Sequence, residues 1–221
     1  SEMCIRDRGD TACPIGAGTW EAATWSAHCA THAAQLVLDG ERAAYALCRP
    51  PGHHAYVDRA NGFCYLNNAA IAAQHLRTVH RRVAILDLDV HHGNGTQGIF
   101  YRRPDVLTVS LHADAHNTTP FFVGHAHETG EGDGLGYNIN RPLPMGTGDE
   151  GYLAALRRVF LDIQAFAPGA LVVALGLDAH ERDPYKGLAV TTAGFGAILG
   201  DIARLGLSLI HISEPTRRYA I

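Results

Sequence analysis

The sequence predicts an α/β fold in which a parallel sheet carries helices on both faces. Three observations predict it. Apolar runs of strand length alternate along the chain with segments of helical length. The apolar runs are nearly continuous, as in strands buried on both sides. Histidine-rich polar stretches follow four of those runs, where an α/β sheet gathers its chemistry beyond the carboxyl ends of the strands. No internal repeat, linker or low-complexity tract divides the chain, so a single domain is expected.

Taken in order, TWEAATWSAHCATHAAQLVLDG (19–40) has helical spacing and closes on Gly40, and AAYALC (43–48) supplies a first strand. LNNAAIAAQHLRTVH (66–80) is a second helix, followed by the aliphatic strand VAILDLD (83–89) and by VLTVSLH (106–112). RRP at 102–104 is a solvated loop. GEGDGLG (130–136) precedes a strand, YNINRPL (137–143), rather than a helix, and Glu131 and Asp133 would repel an anion. It is therefore a surface turn and not a phosphate cradle. DEGYLAALRRVFLDIQAF (149–166) is a third helix with Asp149 as N-cap, ALVVALGL (170–177) a fifth strand, and TTAGFGAILGDIARL (191–205) a fourth helix.

The two ends are set apart from this pattern. SEMCIRDR (1–8) can be encoded by TCGGAGATGTGTATAAGAGACAG, whose reverse complement translates as LSLIHIS followed by Glu or Asp, and LSLIHISE stands at 207–214. Residues 1–8 are accordingly expected to derive from a library-preparation adapter, and 207–221 from the adapter and a non-native tail. Residues 9–206 would then be a partial catalytic domain, incomplete at both ends.

Composition excludes several function classes. A net charge of −4 with no long basic run offers nucleic acid no electrostatic footprint. No apolar stretch approaches the roughly 20 residues that span a bilayer, and no signal peptide is visible. Cys4, Cys13, Cys29, Cys48 and Cys64 are odd in number and scattered, as expected of reduced thiols in a cytoplasmic protein. The excess lies in 14 histidines.

ILDLDVHHGNGTQ (85–97) concentrates the chemistry. On a strand, Asp87, Asp89 and His91 share one face while Leu88 and Val90 take the other. Buried carboxylates in succession require a cation, and a divalent metal held by carboxylate and imidazole satisfies them, with Asp178 supplying a third ligand. Such a site is near electroneutral and keeps a position open for water, as catalytic rather than structural sites do. The alternative, in which the aspartates merely cap a turn, accounts for this stretch alone but not for Asp178 or for the second pair, His53 and His54, after RPPG. Those two imidazoles suit proton transfer, with Asp87 orienting one of them and Asn94 the other.

RPPGHHA, GFCYLNNAAIAA, LDLDVHHGNGTQGIFY and GLDAHERDP together resemble the zinc-dependent histone deacetylase and acetylpolyamine amidohydrolase superfamily across residues 19–205. TPFFVGHAHETGEGDGLGYNINRPLP is more similar to bacterial acetylpolyamine amidohydrolases, while HHGNG with Asn94 is shared with class II deacetylases. The resemblance implies an arginase/deacetylase fold, zinc held by Asp89, His91 and Asp178, and His53 and His54 as general base and acid. It further places Asp87 behind His53, Gly62 and Phe63 on a substrate tunnel, and a structural potassium ion near Asp87, Asp89, His91, Ser110 and Leu111. A homodimer is implied for the full-length protein.

The chain departs from the family pattern at three places. Thr119 stands where an aromatic residue often faces Phe63 across the tunnel, leaving Phe121 or Phe122 to substitute. No Gly-rich motif with the family's catalytic tyrosine follows Asp178, and Tyr219, just beyond the suspected adapter and lacking preceding glycines, is not assigned that role. The acidic loop through which acetylpolyamine amidohydrolases recognise cationic substrates and dimerise would fall at or before residue 12. The expected activity is metal-dependent removal of an acetyl group from a small acetylated amine or acetyl-lysine, with zinc, or Fe²⁺ or Co²⁺, as the ion. Its rivals are a two-metal ureohydrolase of related fold, disfavoured by HHGNG where further carboxylates would be needed, and an inactive metal-binding fragment.

Overall fold

Alternate side chains of each apolar run leave opposite faces of a strand, so burying all of them requires a helix layer on each side. The computed structural model, which describes residues 12–214, contains both layers. Its strands are β1 (Ala43–Ala46), β2 (Val83–Asp87), β3 (Val106–Ala113), β4 (Asn138–Leu143), β5 (Ala170–Leu175) and β6 (Ser208–Ser213). Its helices are α1 (Thr19–Leu38), α2 (Asn68–Leu76), α3 (Asn94–Phe100), α4 (Asp149–Phe166) and α5 (Thr192–Ala203). All strand pairs are parallel and the sheet order is β1-β6-β5-β2-β3-β4.

Val83 and Ile85 of β2 join Val172 and Ile210 against the small residues Ala30, Ala33, Ala69 and Ala73 of α1 and α2. Ala84 and Leu86 leave the other face, where Val109 and Val173 pack against Tyr152, Leu156 and Ile163 of α4 and Ile198 of α5. The parallel arrangement sends every strand's carboxyl end to one edge. From β2 the chain builds outward through β3 and β4, then crosses to β5 on the other side of β2. The crevice between the ends of β2 and β5 is therefore the topological switch point where α/β sheets bind ligands.

Local signals explain the element ends. Asn67 caps α2 by accepting from the Ala70 amide (2.9 Å), and Thr191 caps α5 by accepting from the Gly194 amide (3.0 Å). The predicted cap Asp149 is corrected: Gly148 is the N-cap of α4, and the Asp149 carboxylate accepts instead from the Thr191 amide (2.8 Å) and hydroxyl (2.7 Å). The predicted strand 83–89 stops at Asp87, because the Asp89 amide turns back to donate to Asp87 Oδ1 (3.1 Å) and the His91 amide to Asp89 Oδ1 (2.8 Å). Two short side-chain turns, not strand alternation, thus bring Asp87, Asp89 and His91 near one another.

Two elements were not expected. α3 begins in HHGNG, where glycines mask its helical spacing. β6 falls inside the flank set apart as adapter-encoded. Leu209, Ile210 and Ile212 are buried there, and the strand fills the place between β1 and β5 that the parallel sheet provides. Residues 1–8 and Tyr219 lie outside the described residues. Among the described residues, no helix is long and apolar enough to cross a membrane.

The position of β6 is testable. Ile210→Ala should destabilise the chain by about 2–5 kcal/mol, as for a fully buried aliphatic side chain, and more than His211→Ala on the same strand. Equal urea midpoints for the two variants would place residues 208–213 outside the sheet.

Candidate metal centre and proton-transfer site

Asp89 and His91 follow β2, and Asp178 follows β5, so the two sides of the switch point each contribute to one group. A ligand atom from each of Asp89, His91 and Asp178 lies within 4.8 Å of the other two. His91 Nδ1 is 2.9 Å from Asp89 Oδ1 and 3.1 Å from Asp178 Oδ2, so a single imidazole N–H stands between two carboxylates. Burial, then the charge of Asp178, raises Asp89 to about 6. Burial acts in the same direction on Asp178, but the His91 contact and the Val90 amide (2.9 Å) outweigh it and hold Asp178 low. Asp89 Oδ2 is buried with no hydrogen-bond partner among the described residues. Two buried carboxylates and one imidazole short of positive charge are a donor set that fits a divalent cation. Gly176 is required beside them, because a side chain there would overlap Asp89 Oδ2.

The PPGHH loop lays the second pair against this group. His53 Nδ1 is 2.9 Å from Asp87 Oδ2, and His54 Nδ1 is 2.6 Å from Asn94 Oδ1. The rings of His53 and His54 are 4.0 Å apart, and His54 is 6.0 Å from His91. An amide oxygen only accepts, so His54 Nδ1 carries a proton and its Nε2 presents a lone pair. Burial with the neighbouring His53 and His91 pushes His54 down, keeping it neutral. Burial acts in the same direction on His53, but the charges of Asp87 and Asp89 outweigh it and raise His53 to about 10. Gly93 holds the Asp87 side in place, since a Cβ there would overlap Asp87 Oδ2.

The remaining expected residues are distributed differently. Gly62 and Phe63 both adopt positive φ (51° and 67°), and a side chain at Gly62 would overlap the His54 ring, so this turn sits directly against the histidine pair. Phe122 is 92% exposed and Phe121 50%, and Thr119 is exposed. Tyr185, which the sequence reading missed, takes a position beside the Asp89–His91–Asp178 group. Its ring lies 4.7 Å from His91, its hydroxyl 2.7 Å from Thr118 Oγ1, and it accepts from the Thr119 amide (3.5 Å). Of the residues expected around potassium, Asp87 and Ser110 line one small polar cavity with His92, Gln97, Asn138 and Asn140, whereas Asp89, His91 and Leu111 do not line it.

Glu214 was also missed, because it fell in the excluded flank. It is buried at the end of β6 and accepts from the amides of Gly52 (2.6 Å) and His53 (3.4 Å), tying the sheet edge to the histidine loop. Burial pushes Glu214 up to about 7.

A family model described as the histone deacetylase domain matches residues 1–212. The chain is a member of the histone deacetylase family. Among relatives, it is 52% identical over 212 residues to an acetylpolyamine amidohydrolase of Burkholderia pseudomallei, covering 96% of this chain and 62% of that protein. It is 50% identical over 206 residues to acetylpolyamine amidohydrolase 1 of Pseudomonas aeruginosa, covering 93% and 60% respectively. A crystal structure of the acetylpolyamine aminohydrolase from Burkholderia pseudomallei superposes with a TM-score of 0.90 at 53% identity, covering 92% of this chain and 59% of that one. The chain thus spans about 60% of the length of these relatives. The parallel sheet with helices on both faces is the deacetylase-family fold of these neighbours.

The electrostatics make metal binding proton-linked. A divalent cation at Asp89 opposes the field that keeps the His53 proton, so uptake should release protons. Affinity should then rise with pH up to about pH 10, where His53 loses its proton unaided, by up to about tenfold per unit for each proton released. Calorimetry in buffers of different ionisation enthalpy reads that release, and pH-independent affinity would contradict the arrangement. Asp178→Ala should lose most of the affinity, which elemental analysis after dialysis would show.

Proposed function

We propose that the chain is the catalytic portion of a metal-dependent deacetylase that hydrolyses an acetyl amide on a small acetylated amine, such as an acetylpolyamine, or on acetyl-lysine. The observation that carries the reading is the convergence of Asp89, His91 and Asp178 beside two histidines of opposite protonation preference. The relatives' names support the acetylated-amine class, and the donor set suits Zn²⁺ first, with Fe²⁺ or Co²⁺ as alternatives. When bound, the ion polarises the acyl carbonyl and acidifies the attacking water.

The residues divide the proton work unequally. A base must start neutral, and His54, with its Nε2 lone pair and its Nδ1 proton held by Asn94, meets that requirement. His53, paired with Asp87, is the imidazole that keeps a proton, and its Nε2 can stabilise developing negative charge or deliver a proton to the leaving amine. This reverses the order implied by the family resemblance, in which His53 is the base. Asp87 and Asn94 act through the rings they orient and are positioning residues. Tyr185 and the Gly62–Phe63 turn border the approach to His91 and His54.

His53→Ala and His54→Ala should each lower kcat on an acetylated amine by about a hundredfold or more, with metal content unchanged. Asn94→Asp should move the acidic limb of the pH profile upward, because a carboxylate behind His54 raises its basicity. Wild-type turnover in either alanine variant would remove that histidine from the chemistry.

A second reading, metal binding with little turnover in the 221-residue chain, is favoured by the chain spanning about 60% of its relatives' length and by the Tyr185 hydroxyl being engaged by Thr118 and Thr119. In that reading the 221-residue chain binds about one divalent ion yet turns over an acetylated amine about a hundred- to a thousandfold more slowly than the Burkholderia pseudomallei relative assayed alongside, as loss of one oxyanion donor does. Equal rates for the two proteins would dispose of the second reading.

A further inference from the structure

Asn94 stands behind His54, and an asparagine can present either end of its amide to a ring. With Oδ1 toward His54, as here (2.6 Å), Nδ1 must carry the proton and Nε2 keeps its lone pair. With the NH₂ group toward the ring, Nδ1 would have to accept and the proton would move to Nε2. Only the first orientation leaves Nε2 able to take a proton, so whatever fixes the amide fixes the role of His54.

Two acceptors lie on the far side of that amide. Asn94 Nδ2 donates to the Tyr56 hydroxyl oxygen (3.2 Å) and to Asn61 Oδ1 (3.4 Å). Both of its N–H bonds are thereby used while Oδ1 stays on His54. Tyr56 and Asn94 also line a surface cavity of about 380 Å³ with Gln97, Tyr101 and Arg102. Solvent there can take the hydroxyl proton and leave an oxygen lone pair for the Asn94 amide.

The two acceptors are themselves held. A Cβ at Gly98 would lie 2.5 Å from Cε1 and 2.6 Å from Cδ1 of Tyr56, so the ring rests directly on α3 where no side chain intervenes. The Arg59 guanidinium stands over the ring, 4.7 Å from its centre, and the Tyr56 amide donates to the Arg59 carbonyl (2.9 Å). Asn61 exchanges backbone hydrogen bonds with Cys64 (3.1 and 2.8 Å). The anchor is therefore tied to α3 and to the turn beside the histidine pair, not left to a free surface side chain.

We propose that Tyr56, assisted by Asn61, is a positioning residue that locks the Asn94 amide in the orientation that keeps the His54 proton on Nδ1. The inference rests on the reading of His54 as the base. Tyr56 touches no reacting atom; it acts through Asn94, and Gly98 is required because it gives the ring its seat.

Nitrogen NMR of the metal-free 221-residue chain with ¹⁵N-labelled histidine, at pH 8, reads which His54 nitrogen holds the proton, the His54 signals being those missing from His54→Ala. Nδ1 should hold it in the unsubstituted chain. Tyr56→Phe keeps the ring and removes the acceptor, and should give a mixture with the Nε2-protonated form. Gly98→Ala keeps the hydroxyl but displaces the ring, and should shift the population the same way. A carboxylate offers an oxygen in either orientation, so in an Asn94→Asp background Nδ1 should keep its proton whether residue 56 is Tyr or Phe. In turnover of an acetylated amine, Tyr56→Phe should lower kcat by about three- to tenfold, the size of one lost hydrogen bond, with KM unchanged. A proton that stays wholly on Nδ1 in both Tyr56→Phe and Gly98→Ala, or one that redistributes equally with Asp at position 94, would overturn the lock. A redistributed proton with undiminished kcat would instead overturn His54 as the base, so the two failures are told apart.

Discussion

Four carboxylates, Asp87, Asp89, Asp178 and Glu214, are buried together at one edge of a parallel sheet, and the region around them is arranged to make that burial tolerable. Removing an ionised carboxylate from water is unfavourable by several kcal/mol unless charge or hydrogen bonds replace the lost hydration. Each therefore has a different answer. Asp87 takes the His53 N–H, Asp178 takes the Val90 amide and His91, and Glu214 takes two backbone amides. Asp89, with one oxygen lacking a hydrogen-bond partner among the described residues, keeps its own pKa raised and leaves the group short of positive charge.

That shortage of positive charge connects the fold to the chemistry. The sheet must be parallel for β2 and β5 to end side by side, and only helices on both faces make a parallel sheet stable. The small side chains of α1 and α2 let one helix layer lie close, while the larger side chains of α4 and α5 fill the other face. The same anionic field polarises the histidine pair. His53 lies within it and is held as the doubly protonated cation, whereas His54, with its one N–H turned toward an amide oxygen, stays neutral. A difference of one atom type behind the ring, carboxylate or carboxamide, separates their roles.

A second polar layer lies beneath the first. His92, Gln97, Asn138 and Asn140 form one hydrogen-bonded cluster between α3, β3 and β4, and Glu128 joins it from the loop. His92 follows His91 directly, so the cluster fixes the chain beside a proposed metal ligand and also anchors the turn that carries His125 and His127. Buried networks of this kind hold one geometry when satisfied and are unfavourable when a member is lost.

Much of the architecture was legible because it follows from short-range pattern. Continuous aliphatic runs such as VAILD and ALVVAL need two covering layers, and helical spacing marks the segments that supply them, although the caps at Asn67 and Thr191 emerged only in the folded chain. Residue type alone singled out Asp89, His91 and Asp178, because buried carboxylates and imidazoles at strand ends have few uses other than cation binding and catalysis. Tertiary structure decided what depends on distance in space rather than in sequence. Strand alternation could not anticipate that β2 ends at Asp87 and that side-chain turns carry Asp89 and His91 onward. Tyr185 arrives over His91 through its hydroxyl contact with Thr118, 67 positions away, and Glu214 reaches the Gly52 amide across 162 positions. Sequence determined which groups must be buried together; only the folded chain, through contacts between distant segments, decided which proton, hydrogen bond and ring each of them faces.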